Sequence, residues 1–319
     1  MTGFLRVLKT NGHCSIQDLG RKTVQHLGFS ASGAADEYAF LSANQLLGNN
    51  NNDAALEITF GQLTLLAEKD CTVALTGTDC LATLNNVTIK HWHVVHLSLG
   101  DTLVLQQPKQ GLHSYLAVFG GIQSKLWLGS RSQTFNERAL GFGEPFITKG
   151  SLLPLAAHCR QTSAKASSSH STPNNINKAI PRYQHHQLTL RFIPHPLWAA
   201  LSKNIQQMFL EQTFIISSDS NRMGYRLNGK GISLSKQDLK DNKLSKPVTY
   251  GAIQLPSNHE LIVLMKERQT IGGYPVLGSV MQTDLWRLSQ MRAGEKINFL
   301  PITIEQAQQQ LHMFYQRFI

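Results

Sequence analysis

The chain has few charged residues, few cysteines and no long apolar run. Of its 319 residues, 16% are charged and 41% hydrophobic, and 24 are glycine. A low share of ionic side chains combined with many glycines is more typical of a turn-rich β protein than of a helical bundle. The length predicts two domains, each large enough to bury a core without disulfides or metals.

The four cysteines include no Cys-x-x-Cys pair; they are Cys14, Cys71, Cys80 and Cys159. Their spacing fits neither a zinc knuckle nor a redox motif, so we predict reduced thiols that serve mainly in packing. His91 and His93 share one face of a predicted strand and His96 follows, an alternation that would permit a metal site. No acidic or third ligand lies at a useful spacing, so we predict ordinary surface histidines and no metal.

Apolar runs are short; the longest ones, such as residues 261–265, are far below the roughly 20 residues of a membrane helix. The first six residues lack the basic and apolar segments of a secretion signal. Both features predict a cytoplasmic protein with no membrane partner. The net charge of +10 comes from dispersed lysines without interleaved aromatics, which predicts no nucleic-acid partner.

Composition changes abruptly at residues 157–187, where Ser, Asn, His and Lys replace large apolar side chains. Such a segment cannot offset its ordering entropy, so we predict a flexible linker between domains at 1–156 and 188–319. Both parts contain short β-rich runs bounded by Gly, Asn or Pro, such as residues 62–66, 72–76 and 102–105. Residues 100–105 parallel residues 294–299, each a turn followed by a strand, which favours a duplicated β domain.

Helices are expected to be few. Residues 36–47 carry a helical apolar stripe that Asp36 can cap and Gly48 can end. Similar patterns predict helices at 196–210, 285–291 and 304–318. Packing against a sheet is a sufficient role for all four.

Several motifs of known chemistry are incomplete. Residues 224–231 resemble a phosphate-binding loop, but Gly231 stands where a hydroxyl is required. Asn228-Gly229 instead predicts a hairpin turn. Met265-Lys266 matches only the centre of a biotin-carrying turn, so we predict no covalent biotin. Neither His-Glu-x-x-His nor Gly-x-Ser-x-Gly occurs.

A polar segment, residues 267–275, directly follows the apolar run and contains Gly272-Gly273. Two glycines there permit close approach of backbone or ligand. Arginine with glutamine, threonine and tyrosine is the chemistry of carboxylate and amide recognition. The predicted substrate-binding residues are Arg222, Tyr225, Arg226, Gln254, Gln269, Thr270, Gly272, Gly273 and Tyr274. The alternative is that Asp18 with Arg21, and Asp219 with Arg222, are local ion pairs that only fix turns.

Six segments together resemble one family. They are residues 17–21 (Gln-Asp-Leu-Gly-Arg), 32–36 (Ser-Gly-Ala-Ala-Asp), 55–58 (Ala-Leu-Glu-Ile), 218–227, 250–256 (Tyr-Gly-Ala-Ile-Gln-Leu-Pro) and 267–275 (Glu-Arg-Gln-Thr-Ile-Gly-Gly-Tyr-Pro). In this order they resemble the biotin-dependent carboxyltransferase-like family, also described as allophanate hydrolase subunit 2. Members include the C subunit of bacterial 5-oxoprolinase, the KipA protein and the carboxyltransferase part of urea carboxylase.

The resemblance implies a mainly β fold with a few helices, in two related cyclophilin-like β-barrel domains. It implies the C subunit of a 5-oxoprolinase, which works with a KipI-like (B-type) subunit and an A-type subunit to open 5-oxoproline to L-glutamate. ATP would be used by the complex, at a site that this chain does not reveal. The small carboxylate or amide substrate would be bound by the residues above, and the candidate proton acceptors are Asp18 and Asp36.

Two other functions remain open. A KipA-like regulator would bind a KipI-like partner without catalysis, and a biotin-dependent carboxyltransferase would act on urea or another amide. Three positions depart from the usual family pattern: Ile271 replaces a threonine, residues 245–247 read Ser-Lys-Pro, and Gly143-Glu144-Pro145 replaces a Glu-Gly-Arg turn.

Overall fold

The computed structural model describes residues 3–10, 13–159, 180–183, 186–230, 232, 244–256 and 260–319. Two compact units emerge: Met1–Arg21 with Ser32–Tyr183 and Phe318, and Lys22–Ala31 with Gln184–Arg317 and Ile319. Most of the predicted linker, residues 160–179 and 184–185, lies outside the described residues. The limits 1–156 and 188–319 therefore stay a prediction.

The strands of the first unit follow chain order. They are β1 (Phe4–Thr10), β2 (Cys14–Gln17), β3 (Ala55–Thr59), β4 (Leu63–Ala67), β5 (Cys71–Gly77), β6 (Thr83–Leu84), β7 (Val87–Thr88), β8 (His93–Leu97), β9 (Thr102–Leu105), β10 (His113–Val118) and β11 (Leu152–Pro154). They form one sheet in the order β11-β1-β4-β9-β6-β7 and another in the order β2-β3-β10-β5-β8.

Alternating apolar side chains of both sheets build the core of the first unit. Leu5 and Leu65 come from one sheet, and Leu56 and Leu116 from the other; all four are fully buried in one cluster. β5 is buried at every residue because its second face is covered by α1 (Glu37–Leu47). A strand covered on both faces reads as a continuous apolar run rather than an alternating one.

The second unit is a closed barrel. Its strands are β12 (Gln187–Pro194), β13 (Phe214–Ile216), β14 (Gly224–Asn228), β15 (Lys246–Pro247), β16 (Ala252–Gln254), β17 (Leu261–Leu264), β18 (Ile271–Gly272), β19 (Val276–Val280) and β20 (Lys296–Pro301). The barrel order is β12-β19-β16-β17-β14-β13-β20, and β15 and β18 form a separate two-stranded sheet. Closure is completed by the parallel pairing of β12 with β20.

Aromatic rings fill this barrel. Phe192, Phe209, Phe214 and Phe299 are buried together, with ring centroids of neighbouring pairs 5.0–6.0 Å apart. A second, smaller cluster of Val248, Ala252 and Leu264 is separate from the barrel interior. The fold is thus mainly β, as the sequence predicts.

The predicted helices are present with shifted limits. Beyond α1, the helices of the described residues are α2 (Phe135–Ala139), which the sequence analysis does not predict, α3 (Pro196–Ala200), α4 (Lys203–Glu211), α5 (Gln282–Ser289) and α6 (Ile304–Tyr315), with 3₁₀ turns at Gln25–Leu27 and Gln316–Phe318. The single helix predicted at 196–210 is wrong: Leu201 adopts an extended backbone. Ser202 then begins a new helix by accepting a hydrogen bond from the Ile205 amide.

Candidate functional site

Three predicted residues of the second unit come together beside the barrel. The side chain of Gln254, at the end of β16, has no exposed surface. The Gln269 Nε2 atom donates to the Gln254 Oε1 atom at 3.4 Å. A Cβ atom built on Gly272 would lie 2.8 Å from the Gln254 Nε2 atom. We call Gln254, Gln269 and Gly272 the amide cluster.

The buried Nε2 atom of Gln254 has no hydrogen-bond partner among the described residues. A buried donor without a partner costs roughly 1–3 kcal/mol. Because Gly272 has no side chain, its backbone can lie close to that donor, where a Cβ atom would be too near. This combination suits an acceptor supplied by a ligand.

Two cationic side chains, Lys266 just before the polar segment and Arg268 within it, lie near the Tyr250 ring. The Arg268 guanidinium lies 5.7 Å and the Lys266 ammonium 4.7 Å from the Tyr250 ring centroid. Both cations are buried, and Arg268 contacts the Val248 carbonyl oxygen at 3.4 Å. Burial lowers the pKa of Arg268, although Tyr250 acts in the opposite direction. The sequence pattern does not single out Tyr250.

Both predicted substrate-binding arginines form ion pairs with glutamates of the chain. Arg222 Nε donates to Glu267 Oε1 at 2.6 Å, and the Glu267 amide donates to the Arg222 carbonyl oxygen at 2.8 Å. Arg226 Nη1 lies 3.3 Å from Glu260 Oε2. Glu260 lies just before β17 and Glu267 just after it, and β17 pairs with β14. The two ion pairs therefore hold the residues at the ends of these neighbouring strands together.

The remaining predicted residues of this segment differ in exposure. Tyr225 faces the barrel interior, where its hydroxyl donates to the Ser289 carbonyl oxygen at 3.0 Å. Tyr274 is 49% exposed. The Thr270 carbonyl oxygen accepts from the Val248 amide at 3.1 Å, and Gly273 has only Ser245 Oγ near its missing Cβ position, at 3.6 Å. The structure thus does not place Tyr225 with the amide cluster.

Asp18 organises a loop of the first unit. Its carboxylate accepts from the hydroxyls of Ser130 and Ser132, each at 2.6 Å, and from the amides of Gly20 and Arg131, each at 2.7 Å. Four donors on one carboxylate fix its orientation and the course of the loop around it. Asp18 therefore holds residues 130–132 in place. Its role as a proton acceptor stays a prediction.

Asp36 caps α1 and lies in a buried network. Its Oδ1 atom accepts from the Ala39 amide at 2.9 Å, and its Oδ2 atom accepts from the Tyr183 hydroxyl at 2.9 Å. Its own amide donates to Tyr115, whose hydroxyl donates to Glu57 at 2.6 Å. Burial raises the pKa of both tyrosines well above the usual value. The predicted cap is confirmed, and catalysis by Asp36 stays a prediction.

The histidines of the predicted metal alternative contact other groups. His91 Nε2 lies 3.1 Å from Cys80 Sγ, and His93 Nδ1 lies 2.8 Å from the His91 carbonyl oxygen. Burial lowers the pKa of His91 to about 4, opposed by Asp79. Within the described residues, no group of three or more His, Cys, Asp and Glu side chains is arranged to hold a metal ion.

The chain belongs to the family described as carboxyltransferase domain, subdomain A and B, whose model matches residues 27–301. It is similar to the C subunit of 5-oxoprolinase from Escherichia coli (strain K12), with 32% identity over 303 residues that cover 95% of this chain and 93% of the relative. It is also similar to urea amidolyase of Saccharomyces cerevisiae (strain ATCC 204508 / S288c), 24% identical over 94% of this chain and 17% of that protein.

A solved structure shares the fold. The Kluyveromyces lactis urea carboxylase structure aligns with a TM-score of 0.87 and 24% identity, covering 99% of this chain and 29% of that one. This chain therefore spans less than a third of that enzyme, and the likeness concerns the fold. Among the described residues, no helix is both long and apolar enough to cross a membrane.

Proposed function

We propose that this chain is the C subunit of an ATP-dependent 5-oxoprolinase, which opens 5-oxoproline to L-glutamate with A-type and B-type subunits. The match to a protein of that name over more than nine-tenths of both chains supports the assignment. The observation that carries it is the amide cluster, because a lactam offers one N–H donor and one C=O acceptor. Glutamine carboxamides offer the complementary pair.

In this proposal Gln254 and Gln269 bind the lactam edge. The unpartnered Gln254 Nε2 atom would donate to the lactam oxygen, and Gly272 lets the backbone of the polar segment lie close to this carboxamide. Thr270, Gly273 and Tyr274 would complete the rim of the site. Arg226, which is 43% exposed, and Arg222 are proposed for the substrate carboxylate in addition to their glutamate partners.

ATP is assigned to the partner subunits. Residues 224–228, the start of the loop-like motif, form a barrel strand paired with β13 and β17, which does not fit a phosphate-binding loop. Lys266 is 8% exposed and its ammonium lies over Tyr250, which does not fit a lysine that carries biotin. The absence of covalent biotin stays a prediction.

Reconstitution tests the proposal. The purified chain is combined with A-type and B-type subunits of a 5-oxoprolinase, and ATP-dependent glutamate release from 5-oxoproline is measured. We expect Gln254→Ala and Gln269→Ala to reduce turnover about 10²-fold, because misplacement of a bound substrate has costs of that order. Gln309→Ala, on an exposed helical residue, is the matched control. Full turnover with both cluster variants would refute the site, and no turnover by the wild-type complex would refute the activity.

Carboxyl transfer is the second candidate, supported by the family description and by the likeness to urea amidolyase. The same amide cluster would then bind urea, whose carbonyl and N–H groups resemble those of a lactam. Incubating the chain with urea and a biotin carrier whose biotin bears a labelled carboxyl group distinguishes the two. Label transfer to urea would support this candidate, and ATP-dependent glutamate release would support the first. For a KipA-like regulator, binding of a KipI-like partner without either reaction is the expected outcome.

A further inference from the structure

Arg268 comes directly before Gln269 of the amide cluster, and only 6% of the residue is exposed. Its hydrogen bonds go to neutral backbone groups: Nε donates to the Val248 carbonyl oxygen at 3.4 Å, and Nη1 donates to the Met265 carbonyl oxygen at 3.5 Å. Both distances are long for N–H···O hydrogen bonds. The guanidinium also lies 5.7 Å from the Tyr250 ring centroid, a contact that attracts a cation without neutralising it. Within the described part of the chain, neutral groups alone therefore hold this guanidinium.

The neighbouring charges do not offset Arg268. Glu267, the adjacent acid in the sequence, is paired with Arg222 at 2.6 Å, so these three side chains together keep one positive charge. No carboxylate of the described residues lies within ion-pair distance of Arg268. Burial lowers the pKa of Arg268, as expected for a cation taken out of water without a counter-charge. An anion that binds beside such a guanidinium would stabilise it.

Val248 lies between this guanidinium and the amide cluster. Its carbonyl oxygen accepts from Arg268 Nε, and its amide donates to the Thr270 carbonyl oxygen at 3.1 Å. Its Cγ1 atom lies 3.3 Å from the position of a Cβ atom on Gly272, and that position is 2.8 Å from Gln254 Nε2. The unpartnered Gln254 donor and the Arg268 guanidinium therefore border the same short piece of chain, one as a neutral donor and the other as a charged one.

We propose that Arg268 binds the carboxylate of the small lactam whose amide edge the amide cluster holds. This inference rests on the proposed function and adds to it the residue that distinguishes a carboxylated lactam from a neutral one. A planar guanidinium pairs with a carboxylate through two parallel N–H donors, and Nη2 of Arg268 makes no hydrogen bond to the described residues. Arg222 and Arg226 have glutamate partners, so they contribute less to this contact.

Calorimetric titration of the full chain with 5-oxoproline and with 2-pyrrolidinone, the same lactam without its carboxylate, tests the proposal at constant pH and ionic strength. We expect the wild type to bind 5-oxoproline about tenfold or more tightly than 2-pyrrolidinone, because charge-assisted hydrogen bonds are lost with the carboxylate. Arg268→Gln should remove most of this preference and leave the Kd of 2-pyrrolidinone nearly unchanged. Arg268→Lys keeps the charge without the planar pair of donors and should retain only part of the preference.

Two control variants separate the carboxylate contact from the rest of the site. Gln254→Ala should weaken both ligands by a similar factor and keep the preference for 5-oxoproline. Arg226→Gln removes a guanidinium that is paired and 43% exposed, and it should keep most of the preference. The proposal is overturned if the wild type does not bind 5-oxoproline, if it binds both lactams equally, or if Arg268→Gln keeps the full preference. Should Arg268→Gln fail to fold, an undiminished preference in Arg268→Lys would overturn it.

The turnover of the reconstituted complex is measured separately, so that the residue and the activity can fail independently. Glutamate release with an unchanged KM for 5-oxoproline in Arg268→Gln would refute the role of this residue and leave the activity in place. A preference for 5-oxoproline that depends on Arg268, without turnover by the wild-type complex, would refute the activity and support the binding residue.

Discussion

At the residue scale, the adjacent Gly272 and Gly273 differ in how much room each has for a side chain. A Cβ on Gly272 would lie 2.8 Å from Gln254 Nε2, whereas a Cβ on Gly273 would have no atom nearer than Ser245 Oγ, at 3.6 Å. Neither glycine has a left-handed backbone, so alanine adds no backbone strain at either position. We expect Gly272→Ala to displace the Gln254 carboxamide and to reduce turnover about tenfold or more.

Gly273→Ala is the matched control for this prediction. Both variants should unfold at nearly the same urea concentration as the wild type, and the loss of turnover should be clearly larger for Gly272→Ala. Equal losses of turnover, or a larger loss for Gly273→Ala, would show that displacement of the Gln254 carboxamide is not the cause of the lost turnover.

His91 gives the fold a pH dependence of known sign. Because burial lowers the pKa of His91 from 6.5 to about 4, the unfolded chain binds a proton between these pH values and the folded chain does not. Stability from this residue is therefore present above pH 6.5 and is lost as the pH falls toward 4. The free energy of unfolding of His91→Gln should fall less than that of the wild type across this window.

Urea unfolding at about pH 7, 6, 5 and 4 spans the window of the linkage. The free energy of unfolding should depend less steeply on pH for His91→Gln than for the wild type. Identical slopes for the two proteins would contradict the buried neutral imidazole.

Residue identities predict the polar site better than they predict its pairings. Gln254, Gln269 and Gly272 can be found because polar residues and glycine follow a buried run. The pairing of Arg222 with Glu267 joins residues 45 apart in sequence, and a spacing rule does not reach so far. Tyr225 lies apart from the cluster, and its alternation with buried Leu227 already indicates an inward side chain.

At the element scale, an ion pair between the buried Asp284 and the partly exposed Arg191 attaches α5 to β12. Asp284, with no exposed surface, accepts from the Arg191 amide and Nε atoms at 2.9 Å each and from its Nη2 atom at 2.6 Å. It also lies in the first turn of α5, where negative charge is favourable. We expect Asp284→Asn to destabilise the fold by about 2–4 kcal/mol, because an amide donor would then face guanidinium donors.

Glu260→Gln is the comparison for that pair. Its partner Arg226 is 43% exposed, and ion pairs of this kind contribute about 1 kcal/mol or less. Urea unfolding followed by circular dichroism should separate the two variants clearly. Similar urea midpoints for the two variants would mean that the Asp284–Arg191 pair does not stabilise the packing of α5 on β12.

Single elements follow local rules closely. Asp36 is the predicted cap of α1 and accepts from the Ala39 amide, and residues 102–105 form β9 at the predicted limits. The apolar pattern does not predict the break at Leu201, because apolar residues occur on both sides of it. Ser202 carries the signal that could have found it, since serine competes well for a cap position.

At the scale of the whole molecule, local patterns predict the β content but not the closure of the barrel, and the predicted duplication of a β domain stays a prediction. The barrel places β12 beside both β19 and β20, strands that lie far away in the sequence. Such pairings depend on packing of the aromatic interior rather than on any short motif. The family resemblance implies β-barrels, and the structure shows a closed barrel in the second unit.

The four cysteines provide a test of the first unit as a whole. All are free and buried, and burial raises the pKa of both Cys71 and Cys80 to about 12. Only the thiolate reacts with a disulfide reagent, so at about pH 8 we expect no rapid reaction in the folded protein and all four thiols to react in guanidinium. Because every cysteine lies in the first unit, the denaturant concentration at which they react should mark the unfolding of that unit. A thiol that reacts rapidly in native buffer would show that the sheet packing around it opens well below the global transition.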